Sequence, residues 1–376
     1  MTHRQRVLTA LDHREPDRVP LDLWGSATSV NDGIYFRTKQ YLGIEGDITP
    51  VRQGKTSNYY DERILEAFDI DFRHVMMKGA STHEHLVRLD GSFEDEWGVT
   101  WQERSGHIGQ VRHPLQAADI DDLKRHPWPD AHAPGRTDGL RDWARRLREE
   151  TDFCVVCRAA PNFGTFDRCC SLRGTEQFMI DMMVDRRFAH ALVDCVAKVE
   201  YALNEVLLDA AGEYLDIVCW AEDFGYQDNL LIPPRLYREY FKPHHTQLIA
   251  MIKRKAPHVR FQFHSCGAIR SLIPDFVEAG VDILQSVQPA KDMDSEELKR
   301  EFGDDLVFHG AIDIQYALPG TLEDIDAEIR RRIAAFAPGG GYILAPANNV
   351  QDDTPAENLV HMYRAAREYG RYPIKM

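Results

Sequence analysis

One short run in this chain has the residue types of a metal site. Phe263-His264-Ser265-Cys266-Gly267 ends an apolar segment that reads as a strand from Arg260 to Gly267. On a strand, residues two apart point to the same side, so His264 and Cys266 can face one centre. Imidazole with thiolate is a zinc-preferring donor pair. Taken alone, His264 reads as a hydrogen-bonded strand-end residue; Cys266 two places on is what makes it a candidate ligand. The preceding apolar run ends in Trp220-Ala221-Glu222-Asp223-Phe224-Gly225-Tyr226-Gln227. Either Glu222 or Asp223 could complete a metal site or transfer a proton, and Glu222 is taken as the third ligand. His309 and Asp313 close a later run, and Asn348 and Asn349 the last one. Asp223 and Asp313 have a second reading as helix caps. Polar groups on four strand ends make a pocket, with Glu222, Asp223, His309 and Asp313 as acid/base candidates and Trp24, Gln227 and Asn348 as substrate contacts.

Other reactive residues read as structure. Cys154 and Cys157 form a C-x-x-C string, but residues three apart on a strand face opposite sides, so packing is expected. Cys169 and Cys170 are adjacent and poorly placed to hold one ion, and Cys219 is core. Tyr59, Tyr60, Trp97 and Trp101 read mostly as aromatic core.

The elements that must position these groups follow from the pattern of apolar residues. Strands are expected at Arg18–Trp24, Phe72–Lys78, Phe153–Ala160, Leu215–Glu222, Arg260–Gly267, Ile283–Pro289, Leu306–Asp313 and Gly341–Asn349. Helices are expected at Thr2–His13, Arg235–Lys255, Ile269–Ala279, Ser295–Phe302, Leu322–Phe336 and Pro355–Tyr369. Eight strands alternating with helices predict an α/β fold, a (β/α)8 TIM-type barrel, whose chemistry sits at the C-terminal strand ends. No Gly-rich phosphate loop follows a strand, which counts against a nucleotide-binding open sheet. Leu86–Gly91 and Trp97–Trp101 read as a hairpin around an Asp-Gly turn. Residues 80–150 are therefore expected as an insertion over the barrel, and 1–376 as a single domain.

Composition sets the outer bounds. Of 376 residues, 43% are hydrophobic and 28% charged, and 45 basic against 60 acidic residues leave a net charge of −15. That is a globular composition without the excess of Lys and Arg expected of a general nucleic-acid or anionic-membrane binder. No apolar run is long enough to span a bilayer, and the start lacks the apolar stretch of a signal peptide. With seven cysteines, an odd number at spacings that suggest no disulfide framework, a cytoplasmic location is expected.

In sequence order, Arg6-Val7-Leu8-Thr9-Ala10-Leu11, Pro16-Asp17-Arg18-Val19-Pro20, Glu222-Asp223-Phe224-Gly225 and Phe241-Lys242-Pro243 resemble the uroporphyrinogen decarboxylase superfamily. So do His264-Ser265-Cys266-Gly267, Gly310-Ala311-Ile312-Asp313 and Gly340-Gly341-Tyr342-Ile343-Leu344-Ala345-Pro346. The resemblance implies one TIM-type barrel. True decarboxylases of the superfamily carry arginines after the first strand for the substrate's carboxylates. Here Leu23-Trp24-Gly25-Ser26-Ala27-Thr28 offers no cation. The chain is more similar to the cobamide-dependent methyltransferase branch, whose zinc motif is His-x-Cys on one strand and a further Cys near the last. His264 and Cys266 match the first part, while Asn348 stands where that Cys would be.

That resemblance implies zinc held by His264, Cys266 and a carboxylate, and a methyl group moved between a methoxylated donor and the cobalt of a corrinoid on a partner protein. A carboxylate in place of a thiolate makes a harder site, better suited to an oxygen substrate, an aromatic methoxyl compound among the candidates. His309 and Asp313 would orient substrate or serve as the acid, and Gln227 would hydrogen-bond it. No corrinoid-binding domain is expected within the 376 residues, and the chain would be a monomer or homodimer. Two other readings stay open: a metal-free decarboxylase of a small or tetrapyrrole acid, and a non-catalytic relative that binds a corrinoid or a partner.

Overall fold

A computed structural model describes residues 1–375 apart from 25–27, 52–55, 84–85, 105–106 and 159–163. Ten strands follow in chain order among these residues: β1 (Phe72–Met76), β2 (Ser92–Glu94), β3 (Thr100–Arg104), β4 (His107–Arg112), β5 (Cys154–Arg158), β6 (Ile217–Ala221), β7 (Arg260–His264), β8 (Ile283–Ser286), β9 (Val307–Ile312) and β10 (Tyr342–Pro346). Seven of them form one parallel, curled sheet in the order β1-β5-β6-β7-β8-β9-β10. Helices connect successive strands and cover the outer face, as buried βα units require. The strands are buried on both sides, which is why they read as continuous apolar runs.

The expected first strand, Arg18–Trp24, is replaced by a single parallel bridge from Leu21 to Leu344. Asp22 N–H donates to the Leu344 carbonyl at 3.1 Å, and Asp71 N–H donates to the Leu21 carbonyl at 3.0 Å. The segment thus spans the gap between β10 and β1. It does so without a regular ladder because Pro20 has no N–H to give, and Trp24 turns the chain away at φ 70°. The result is seven strands plus a bridge rather than eight strands.

Several boundaries also shift. The expected Ile283–Pro289 strand stops at Ser286, because Val287 takes φ 51°. Residues 159 and 160, expected to end another strand, lie outside the described residues. The helix expected at Arg235–Lys255 is one turn at Pro234–Leu236, a wide turn at Tyr237–Phe241, and a helix from Lys242 to Lys255 in which Pro243 takes an N-terminal position. Five helices between β4 and β6 were not expected: Ile120–Arg125, Leu140–Glu150, Thr165–Arg173, Thr175–Val184 and Arg186–Ala211.

The hairpin is a three-stranded antiparallel sheet, β2-β3-β4. Its Asp90-Gly91 turn precedes β2 instead of joining two strands: the Asp90 carboxylate accepts the Ser92 N–H at 2.9 Å, while Leu86, Val87 and Leu89 are exposed. No described helix is long and apolar enough to cross a membrane.

Candidate metal centre

β7 delivers His264 to the C-terminal end of the sheet, and the chain then turns through Cys266 and Gly267. His264 Nε2 lies 3.2 Å from Cys266 Sγ and 3.4 Å from Asp223 Oδ1. The three donor atoms all fall within 4.8 Å of one another. The backbone locks this grouping, since Cys266 N–H donates to Asp223 Oδ1 at 2.8 Å. Gly267 holds the left-handed region at φ 83°, and a Cβ there would meet the Gly225 carbonyl carbon at 2.5 Å. Only glycine lets the loops after β6 and β7 approach this closely.

Second contacts orient the donors. His264 Nδ1–H donates to Gln285 Oε1, which leaves Nε2 as the ligating nitrogen. Asn348 donates its amide N–H to Cys266 Sγ at 3.0 Å, a contact that favours the thiolate. Burial disfavours a charge on His264, yet Cys266 and Asp223 more than offset it and push the imidazole up to about 10. Burial holds Asp223 back from ionising, but His264 and the Cys266 N–H bring its carboxyl below the usual range. Burial raises the Cys266 thiol, against the pull of His264. Surroundings that keep a cation on an imidazole suit a divalent cation as well, with the proton released on binding. The N, S and O donors fit zinc.

Glu222 is not in this cluster. Ala221 is in register with His264, so Glu222, one residue on, points to the outer face and Asp223 returns to the inner one. The Glu222 carboxylate accepts from Phe166 N–H and from Trp220 Nε1–H at 3.1 Å, and it pairs with His245 at 2.7 Å. The third donor beside His264 and Cys266 is therefore Asp223 in place of Glu222.

His309 is held inside the curled sheet, with Nδ1 at 3.0 Å from Gln262 Oε1 and Nε2 at 3.2 Å from Asp22 Oδ2. His74 takes the other Asp22 oxygen at 2.9 Å. Burial opposes the Asp22 charge, but the two imidazoles overcome it and hold the carboxyl well below its usual range. Asp313 accepts the N–H groups of Gln315 and Tyr316 at 2.7 and 3.3 Å, the geometry of a turn cap. Gln227 reaches the Pro289 carbonyl at 2.9 Å and ties the loop after β6 to the one after β8. Trp24 is buried against Tyr35 and Tyr60 and lines a small cavity with Tyr59, His74, Arg158 and Cys219. All seven cysteines are free thiols.

Asp22, Gln285 and Asp167 belong to the neighbourhood without any sequence signal. Asp167 Oδ2 accepts the Asp223 N–H at 3.1 Å. Burial, with Asp223 and Glu222 nearby, pushes its carboxyl well above the usual range.

Comparison with known families then decides the relationship. The uroporphyrinogen decarboxylase (URO-D) profile matches residues 95–369. The chain belongs to the URO-D family. Among solved structures, this URO-D-family chain is similar to a methyltransferase from Methanosarcina mazei, with a TM-score of 0.65 and 18% identity over 98% of this chain and 99% of the other. A B12-independent methionine synthase from Shewanella sp. W3-18-1, in complex with selenomethionine, gives a TM-score of 0.42 and 14% identity over 94% of this chain and 93% of the other. No curated protein matches significantly. In the family's arginine position, residues 25–27 lie outside the described residues.

Proposed function

We propose that this URO-D-family chain is a metal-assisted methyltransferase. It takes a methyl group from a methoxylated compound, an aromatic one among the candidates, and passes it to the cobalt of a corrinoid on a partner protein. The observation that carries the reading is the gathering of His264, Cys266 and Asp223 at the C-terminal strand ends, where barrels of this kind do their chemistry. The fold it shares with a methyltransferase supports it.

Zinc held by His264 Nε2, Cys266 Sγ and the Asp223 carboxylate would supply Lewis acidity toward the methoxyl oxygen. The partner's corrinoid, as the methyl acceptor, would supply the electron pair for the new bond, and zinc would stabilise the negative charge left on the methoxyl oxygen. Gln285 fixes the imidazole, Asn348 supports the thiolate, and the loop contact at Gly267 keeps Asp223 beside them.

The test is zinc per chain by elemental analysis, beside methyl transfer to a free or protein-bound corrinoid. Wild type should hold about one zinc, and Cys266→Ala should lose both zinc and transfer. Full transfer in Cys266→Ala overturns the reading. So does a metal-free wild type that releases CO2 from a small acid.

A further inference from the structure

At the N-terminal ends of the strands, on the face away from the metal centre, lies a cavity of about 1030 Å3. It opens where the last helix, Ala356–Tyr369, and residues 370–375 meet Arg18 and Asp69. Its walls carry Arg330, Arg364, Arg367, Arg371 and Lys375, with Glu368 among them. Arg18 and Asp69 also line it, but they are paired with each other at 2.9 Å. None of the five other cations forms an ion pair among the described residues, and the Arg330 guanidinium lies 3.7 Å from the Tyr369 ring centroid. In a chain of net charge −15 this is a gathering against the overall sign. Cations brought together in a concavity repel one another and build a positive potential that an anion relieves.

Shape and side-chain type narrow the ligand. The site is a concavity open to solvent, with a volume at the upper end of the size range for small-molecule pockets. Four of its five cations are arginines, whose planar fork matches phosphate oxygens bidentately. The tyrosines 369 and 372 supply apolar wall beside them.

We propose that this cavity binds a small compound carrying two or more phosphate groups, at a site separate from the metal centre. An inorganic oligophosphate and a nucleoside polyphosphate share the chemistry, and the experiment separates them. Tripolyphosphate and ATP are titrated calorimetrically into wild-type chain at low and at moderate salt. Each should bind saturably, and more weakly at the higher salt. The double variant Arg364→Ala, Arg367→Ala should bind about tenfold or more weakly. Arg364 is exposed and Arg367 half-buried, so the variant is expected to fold, and its melting temperature checks this.

Equal affinity for the two probes assigns recognition to the phosphates alone. Tighter binding of ATP identifies the nucleotide as the occupant. Cys266→Ala should bind both as wild type does, which keeps this outcome independent of the methyl-transfer reading. No saturable binding at low salt, or an unchanged affinity in the double variant, overturns the proposal. Tighter binding of an acidic peptide than of either probe also overturns it, because the hollow would then be a docking surface for a protein.

Discussion

Two neighbouring carboxylates with opposite duties show how residue position, more than residue type, makes this site. Asp223 faces the donor atoms of His264 and Cys266, whereas Glu222 is sealed against His245, Trp220 and the backbone of Phe166. Asp223→Asn should therefore weaken zinc binding while the chain stays folded. Glu222→Gln should retain zinc but lose about 1–3 kcal/mol of stability, because one amide oxygen cannot serve Phe166 N–H, Trp220 Nε1–H and His245 as two carboxylate oxygens do. Chelator competition and urea unfolding on the two variants check this, and the reverse pattern would refute the assignment. Gln285→Ala should lower zinc affinity about 10- to 100-fold by freeing the imidazole. The His264 and Cys266 pair was legible from its two-residue spacing together with the family resemblance, although the expected strand to Gly267 ends at His264 and it is the turn after it that carries Cys266 back to the imidazole. The choice between residues 222 and 223 was not, because it depends on the register of β6 against β7. Gln285 and Asp167 arrive from β8 and from a helix, with no motif to announce them.

Among the elements, the N-terminal helix, the bridging segment and β1 are joined through one buried carboxylate. Asp71 accepts from Arg6 and Arg18 at 2.6 and 2.7 Å and lies 2.7 Å from His3 Nδ1. It also takes the Leu21 N–H at 2.7 Å, so it stands in for the ladder partner that a regular strand would have offered. Burial works against its charge, yet His3, Arg18 and Arg6 together hold its carboxyl below the ordinary value. A depressed carboxyl contributes stability that is complete above its unfolded value, about 4, and is lost as pH falls through the folded one. Wild type should lose urea resistance below about pH 4, and Asp71→Asn should start lower and flatten that acid limb. An unchanged limb in the variant would remove Asp71 from the account. Gly267→Ala should also disturb the site, with stability and zinc affinity falling together as the loops after β6 and β7 are forced apart.

The strands were legible at this scale because burial on both faces writes them as apolar runs. Their ends were not, since positive φ at Trp24 and Val287 is a tertiary matter. The helix Thr165–Arg173 is buried on nearly every side and so lacks an amphipathic period. In Arg186–Ala211 the buried Leu192, Val196, Val199, Leu203 and Leu207 do recur at helical spacing, so that helix was there to be read.

Across the whole molecule, residues 92–118 are stitched to the helix Thr165–Arg173 and not hinged on it. Gln110 donates to Ser171 Oγ at 2.7 Å, and the Leu115 N–H donates to the Leu172 carbonyl at 2.9 Å. Arg173 reaches the Leu115 and Ala118 carbonyls at 2.7 and 2.9 Å. Arg168 sits 4.5 Å from the Trp97 ring centroid and pairs with Asp95 at 3.2 Å. All four anchors lie on Thr165–Arg173, the helix that also carries Asp167 to the metal centre. One continuous apolar core includes Trp97 and Trp101 together with Trp220 of β6. Opening residues 80–150 would therefore expose aromatic surface and orphan buried arginines, a cost that ties them to the unfolding of the parallel sheet. The chain should accordingly unfold in urea as a single unit, with tryptophan fluorescence and far-UV circular dichroism following one curve. An earlier fluorescence transition, with helical signal intact, would show that residues 80–150 form a separate unit.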